Sequence, residues 1–163
     1  MIIRSATSDD VAAMQSLIFE HGPNEWNFIP EKEIREHLNK VRTDEVRAVL
    51  AEIDAKIIGF VTFHPSTYFN RYSDNKETAK GYIREAVVHR GHVGKGLGTK
   101  LLGEAVKQLH AWGFDEIYID RHEENRASAG MMKKAGFKEI DTFLDSEHRA
   151  AGSRRTTVCR IRC

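Results

Sequence analysis

The sequence is poor in the residues that mark specialised protein classes. Its 163 residues include two cysteines, Cys159 and Cys163, three prolines and no long uninterrupted apolar run. Two thiols do not make a disulfide framework, and this pair, if in a strand, lies too far apart for an easy bridge. No Cys/His spacing matches a zinc site, so no metal is expected. Without a long apolar run there is no membrane-spanning helix. The opening residues Met1-Ile2-Ile3-Arg4-Ser5 lack the apolar stretch and small-residue cleavage site of a secretory leader. A reducing cytoplasm is the expected compartment. Charge of one sign is also missing: 25 Lys and Arg stand against 24 Asp and Glu, a net charge of +1. That balance excludes a protein that grips nucleic acid through its overall charge. Arg154, Arg155, Arg160 and Arg162 near the C-terminus leave room for a local basic patch, and read as the polar face of a last strand plus a solvated tail.

What the chain does have is ordinary for a soluble globular protein, with 40% apolar and 30% charged residues. The length suits one domain spanning residues 1–163. Ile2-Ile3-Arg4 reads as a first strand. Thr7 to Asp10 offers capping residues ahead of a helix whose apolar face is Val11, Met14, Leu17 and Ile18. Pro23 and Pro30 bracket a loop, and Pro30 with Glu31 and Glu33 starts a second helix striped by Ile34, Leu38 and Val41. Val46 to Ile53 and Lys56 to Phe63 form a hairpin about Asp54-Ala55. His64 to Lys80 has no clear period and is the longest irregular stretch. A strand from Gly81 to Val88 leads through a glycine-rich turn into a helix carrying Leu97, Leu101, Ala105 and Leu109 at i+4 steps, closed by Gly113. Glu116 to Asp120 is a strand, Arg126 to Lys134 a short helix, and Phe137 to Phe143 and Thr156 to Ile161 the last strands. The order predicts a mixed α/β fold with a central sheet flanked by helices.

The densest chemical signal is the turn Val88-His89-Arg90-Gly91-His92-Val93-Gly94-Lys95-Gly96-Leu97-Gly98-Thr99. Glycines at alternate positions let the backbone turn sharply and expose its N–H groups, and the following helix adds its own unpaired donors and positive dipole end. The combination fits an anion, best the pyrophosphate of a nucleotide cofactor. A Walker loop fails, because Leu97 stands where that motif needs lysine. A nicotinamide-dinucleotide fingerprint fits weakly: the spacing is Gly94-x-Gly96-x-Gly98, although Asp120 could imitate its ribose-binding acid.

The same segment resembles the acetyl-CoA-binding motif of the GNAT superfamily of N-acetyltransferases, Gln/Arg-x-x-Gly-x-Gly/Ala. Gly94-Lys95-Gly96-Leu97-Gly98 matches its fuller form, with Val93 at the Gln/Arg position. A second segment agrees: Asn125-Arg126-Ala127-Ser128, followed by Met131 to Phe137, is similar to the family's Asn-x-x-Ala/Ser and a helix ending in Lys-x-Gly-Phe. The resemblance covers nearly the whole chain and implies a mostly antiparallel sheet in which the Gly81 to Val88 and Glu116 to Asp120 strands splay apart. Acetyl-CoA would then be the acyl donor, its pyrophosphate on Val93, Gly94, Lys95, Gly96, Leu97, Gly98 and Thr99. Its pantetheine arm would pair with main-chain groups near Val87 and Val88, with Asn125 and Ser128 close to the acetyl end.

Acetyl transfer to an amine needs a base, a donor for the oxyanion and a route for the thiolate. Glu85, in the strand leading to the cofactor, is the first candidate for the base, and an N–H near Val88 for the oxyanion. Asn125 is the second catalytic candidate. The tyrosine that many family members place seven residues after the asparagine is Met132 here, so the acid role falls to water, Tyr118 or His122. Glu25 and Trp26 in the first loop and Tyr68 and Tyr72 in the second are the expected acceptor contacts, suited to a cationic amine. The expected acceptor is a small-molecule or peptide amine, with no nucleic acid or membrane partner; a homodimer follows by analogy. A CoA-binding module without catalysis is the alternative.

Overall fold

The computed structural model describes residues 1–27 and 29–163. Its strands are β1 (Ile2–Ser5), β2 (Arg47–Ile53), β3 (Lys56–Ser66), β4 (Lys80–Val88), β5 (Glu116–His122), β6 (Lys138–Leu144) and β7 (Arg155–Arg162). The helices are α1 (Val11–His21), α2 (Glu31–Asn39), α3 (Leu97–Trp112) and α4 (Arg126–Lys134). Each follows from a pattern visible in the chain. The i+4 leucines of α3 are all fully or almost fully buried, and Gly113, at φ 113°, ends the helix in the left-handed conformation that glycine adopts freely. The β2–β3 turn places Asp54 and Ala55 at φ 51° and 63°, the mirror-image turn geometry that matches strand twist.

The strands make one sheet in the order β1-β2-β3-β4-β5-β7-β6, with only β4 and β5 parallel. One face carries the core of α3 and α4, where Leu101, Leu102, Ala105 and Leu109 meet Phe63, Ile83 and Ile117. The other face is covered by α1 and α2 over Leu50, Phe60 and Val87, and further along by Phe69 stacked on Tyr118. The irregular stretch after β3 therefore has a packing role: Phe69 is buried, and a short 3-10 turn at Asn70–Tyr72 holds it there.

Two features of β4 create the site. Its pairing with β5 consists of Gly81 with Ile117 and Tyr82 with Tyr118, after which the two strands diverge. Its pairing with β3 jumps from Phe63–Ile83 to Val61–Ala86, so Thr62 alone stands opposite Arg84 and Glu85. This bulge switches the parity of the strand: Ile83 belongs to the α3 face, while Val87 belongs to the α1–α2 face. Among the described residues no helix is long and apolar enough to cross a membrane. Cys159 is buried, Cys163 is exposed, and both are free thiols.

Candidate active site

Where β4 and β5 part, two cavities open, one of about 480 Å³ and one of about 500 Å³. They share the walls formed by Asn27, Ala86, Val87, Asn125, Ser128 and Met131, so the two adjoin where the sheet splays.

The first cavity is centred on the glycine turn. Val93, Gly94, Gly96, Leu97, Gly98 and Thr99 line it. Gly94 and Gly96 sit at φ 77° and 79°, where a side chain would be strained. Gly96 is the N-cap of α3 and no side chain caps the helix, so the first amides of α3 have no intrahelical partner and the helix dipole presents its positive end there. The third glycine serves contact between helices, because a Cβ on Gly98 would collide with Sδ of Met131. Two histidines brace the approach: His89 Nδ1 accepts from the Gly91 N–H at 2.9 Å and His21 Nδ1 from the Arg90 N–H at 3.1 Å. Val93 is 60% exposed at the rim, and the exposed Lys95 side chain lies off the cavity wall. The His89 N–H donates to the Ile58 carbonyl, so by alternation the Val88 main-chain groups face the open side of β4.

The second cavity brings charged and aromatic residues together beside apolar ones. The bulge sends Arg84 and Glu85 into it together, and Asp120, Asp145, His148 and Arg149 meet them from β5 and the β6–β7 loop. Burial pushes the Glu85 carboxyl up to about 7; Arg84 and Arg149 oppose the shift and Asp120 adds to it. Burial likewise raises Asp120 above the usual carboxylate range, against the pull of Arg149, whose guanidinium is 3.7 Å away. The Glu85 N–H donates to Thr62 Oγ1 at 3.1 Å, and the same oxygen lies 2.8 Å from His37 Nε2. Burial lowers the His37 pKa to about 3, so this ring is a neutral brace for the bulge. His64 donates from Nδ1 to the Pro65 carbonyl at 2.7 Å, leaving a buried Nε2 without a partner among the described residues.

Asn125 stands between the cavities. Its Oδ1 caps α4 by accepting from the Ser128 N–H at 3.2 Å, and its side-chain amide N–H groups make no hydrogen bond among the described residues. Met132 is buried in the α3–α4 core. Tyr118 and His122, the sequence's candidate acids, are both engaged elsewhere. Tyr118 stands at the last closed β4–β5 pair, where its hydroxyl donates to Glu116 at 3.0 Å. His122 packs on Trp26, lies 2.6 Å through Nε2 from the Ala151 carbonyl, and accepts the Glu124 N–H at Nδ1.

Of the expected acceptor contacts, Tyr68 lines the second cavity, whereas Glu25, Trp26 and Tyr72 do not. Asn24 Oδ1 accepts the N–H groups of Trp26 and Asn27, a turn that leaves Glu25 in solvent and brings Asn27 to both cavities. Tyr72 is drawn away by a 2.5 Å hydrogen bond to Asp141. Asn27, Asp120 and Arg149 were not singled out from sequence for this site. Asp120, noted there as a ribose mimic, faces the second cavity and does not line the glycine turn.

The comparisons agree with this geometry. The acetyltransferase (GNAT) family model matches residues 11–137. An N-alpha-acetyltransferase, MAK3, from Arabidopsis thaliana is 26% identical over 82 residues, a match spanning 48% of this chain and 43% of that relative. Among solved structures, ribosomal-protein-alanine N-acetyltransferase from Brucella melitensis superposes with a TM-score of 0.76 at 17% identity, covering 100% of both chains. The structure of yncA from Salmonella typhimurium, solved with its cofactor acetyl-CoA, gives 0.74 at 20% identity over 99% of this chain and 93% of that one. A sheet splayed after Tyr82, an uncapped glycine turn at its edge and a family match over most of the chain lead to one conclusion: the protein belongs to the acetyltransferase (GNAT) family.

Proposed function

We propose that this protein transfers the acetyl group of acetyl-CoA to a primary amine by direct attack. The observation that carries the reading is the meeting of the two cavities at Ala86, Val87, Asn125 and Ser128. One is a backbone cradle for a diphosphate, and the other holds a buried carboxylate with a pKa of about 7.

In this reading the pyrophosphate sits on the amides of Gly94 to Thr99, and the pantetheine arm runs along the open edge of β4 beside Val87 and Val88. Val93 replaces the family's glutamine or arginine at little cost, since main-chain donors hold the diphosphate. The thioester lies at the shared wall, where Asn125 and Ser128 supply side-chain donors. Glu85 takes a proton from the incoming ammonium, directly or through water, at a pH where half its population is ionised. The amine nitrogen then bonds to the thioester carbon, and the Val88 N–H donates to the oxyanion. The C–S bond breaks, the nitrogen gives its second proton to water, and CoA leaves as a thiolate that the same water reprotonates. A thiol with a pKa of about 8.5 needs little help near neutral pH, so methionine at position 132 does not stop the reaction.

The test is a thermal-shift titration with acetyl-CoA, CoA and NAD in parallel, followed by an assay for released thiol with amine acceptors. A ligand at about 100 times its dissociation constant adds roughly 2.7 kcal/mol of stability. Stabilisation by acetyl-CoA and amine-dependent thiol release are expected. Stabilisation by NAD alone would remove the reading, and CoA binding with no acceptor turned over would leave a CoA-binding module.

A further inference from the structure

We infer that the acceptor is a free α-amino acid, held by the consecutive and oppositely charged side chains of the β4 bulge: Glu85 at the ammonium and Arg84 at the carboxylate. The inference rests on the acetyl-transfer reading and names the substrate class of that same site.

In an uninterrupted strand, neighbouring residues point to opposite faces of the sheet. Here the bulge sets Arg84 and Glu85 against Thr62 alone and turns both into the 500 Å³ cavity. The other charges of that cavity are committed to the protein itself. Arg121 donates to the carbonyls of His122 and Glu123 and to Glu139. Arg149 donates to Thr156 at 2.8 Å and lies beside Asp120. Asp145 accepts from Thr156 and pairs with His148. Arg84 and Glu85 make no side-chain hydrogen bond or ion pair among the described residues. The uncommitted charge of the cavity is thus one cation and one anion on adjacent residues.

A ligand that satisfies both must carry an ammonium and an anion a short distance apart. An α-amino acid does so with a single carbon between them, and its carboxylate fits the planar fork of a guanidinium. The ammonium then lies with Glu85 near the wall shared with the cofactor cavity, and Ile18, Ile29 and Ile119 offer apolar surface for the side chain. A peptide amino terminus has an amide in place of that carboxylate and would leave the exposed Arg84 guanidinium without an anion to pair with.

The experiment compares acetyl-CoA turnover of the twenty free amino acids, their α-amides and a set of peptides, using wild type, Arg84→Gln and Arg84→Lys. CoA titration of each variant confirms that it is folded and loaded. Wild type is expected to favour the best free acid over its amide by at least about tenfold in kcat/KM, because a site built for a charged group rejects the analogue that lacks it. Arg84→Gln should bring that ratio to about one, chiefly through KM of the acid, and Arg84→Lys should restore part of it. Amides or peptides turned over as well as the acids, or an acid preference untouched by Arg84→Gln, would overturn the inference while leaving acetyl transfer intact. Acetyl-CoA bound with no amine acetylated would overturn the transfer reading, and this inference with it.

Discussion

The two cavities are built by opposite means. The glycine turn is a short continuous segment whose recognition groups are backbone amides, and its geometry follows from glycines at positive φ and an uncapped helix start. The second cavity draws on α1, on Gly22, Asn27 and Ile29, and on β3, β4, β5, α4 and the β6–β7 loop, and its charges are carried by side chains. A backbone site is expected to tolerate replacement of its side chains, Val93 included. A side-chain site is expected to be less tolerant, because most of its charges are held by partners fixed far away in sequence.

Glu85→Gln should have the largest effect. Removing a positioned base lowers turnover by about 10²–10⁴-fold. The dissociation constant for CoA should stay within about twofold, because Glu85 does not line the first cavity. Steady-state kinetics beside a CoA titration reads both, and weaker cofactor binding would mean that the cavities are not separable. The reverse experiment is Gly96→Val. No atom of the described residues lies within 4 Å of a Cβ placed there, so the damage is conformational: a β-branched residue at φ 79°. At a cost of roughly 1–2 kcal/mol it should weaken CoA binding about tenfold or more. The Glu85 titration should be left where it was.

Thr62→Val tests what holds the bulge. It strips the acceptor from the Glu85 N–H and the partner from His37, at a cost of about 1–3 kcal/mol for a buried donor left unpaired. Calorimetry should show the melting temperature lower by about 2–10 °C, and Thr62→Ser should recover most of it. No change in stability would mean that the bulge is held by β3–β4 pairing alone.

The pH profile sharpens the electrostatic half. With Glu85 at about 7, kcat/KM should rise from acid pH and level off above that value, and Glu85→Gln should abolish the rise. Asp120→Asn removes a charge that raises Glu85, so the midpoint should move down; an upward movement would show that the two carboxylates do not interact as described. The same shift has a stability consequence. Between pH 4.5 and about 7 the folded chain keeps a Glu85 proton that the unfolded chain has lost, so this group costs stability as pH rises through the window. Glu85→Gln should therefore melt higher than wild type above pH 7 and lose that advantage near pH 4.5.

The smallest effect is expected from Val93→Gln, which restores the family residue. At a rim position 60% exposed, one added hydrogen bond nets about 0.5–1.5 kcal/mol at most. CoA affinity should change by less than about threefold. A much larger gain would mean that side chains contribute to this cradle more than its backbone geometry implies.

Much of the fold was legible because its signals are local. The i+4 leucines fix α3, Gly113 and Gly136 end helices at positive φ, and Asn125 followed three residues later by Ser128 encodes the cap that α4 uses. The bulge was not legible, since Thr62, Arg84 and Glu85 are ordinary strand residues that become special only when β3 meets β4 out of step. Tyr118 shows the limit of alternation. It shares a strand face with Asp120, yet stands two residues before it, where β5 still pairs with β4 and Phe69 covers it. Nothing local in Trp26 says that its ring will lie on His122, or in Asn27 that it will reach the cavities from the same loop.

By itself, then, the sequence determined the order of the elements and the open glycine turn at the start of α3, because backbone conformation and unpaired helix amides are properties of a short stretch of chain. Only the tertiary structure decided which charges face one another across the splay and which of them stay free for a ligand. Burial and pairing are set by neighbours that lie tens of residues away, and no local pattern encodes the distance between them.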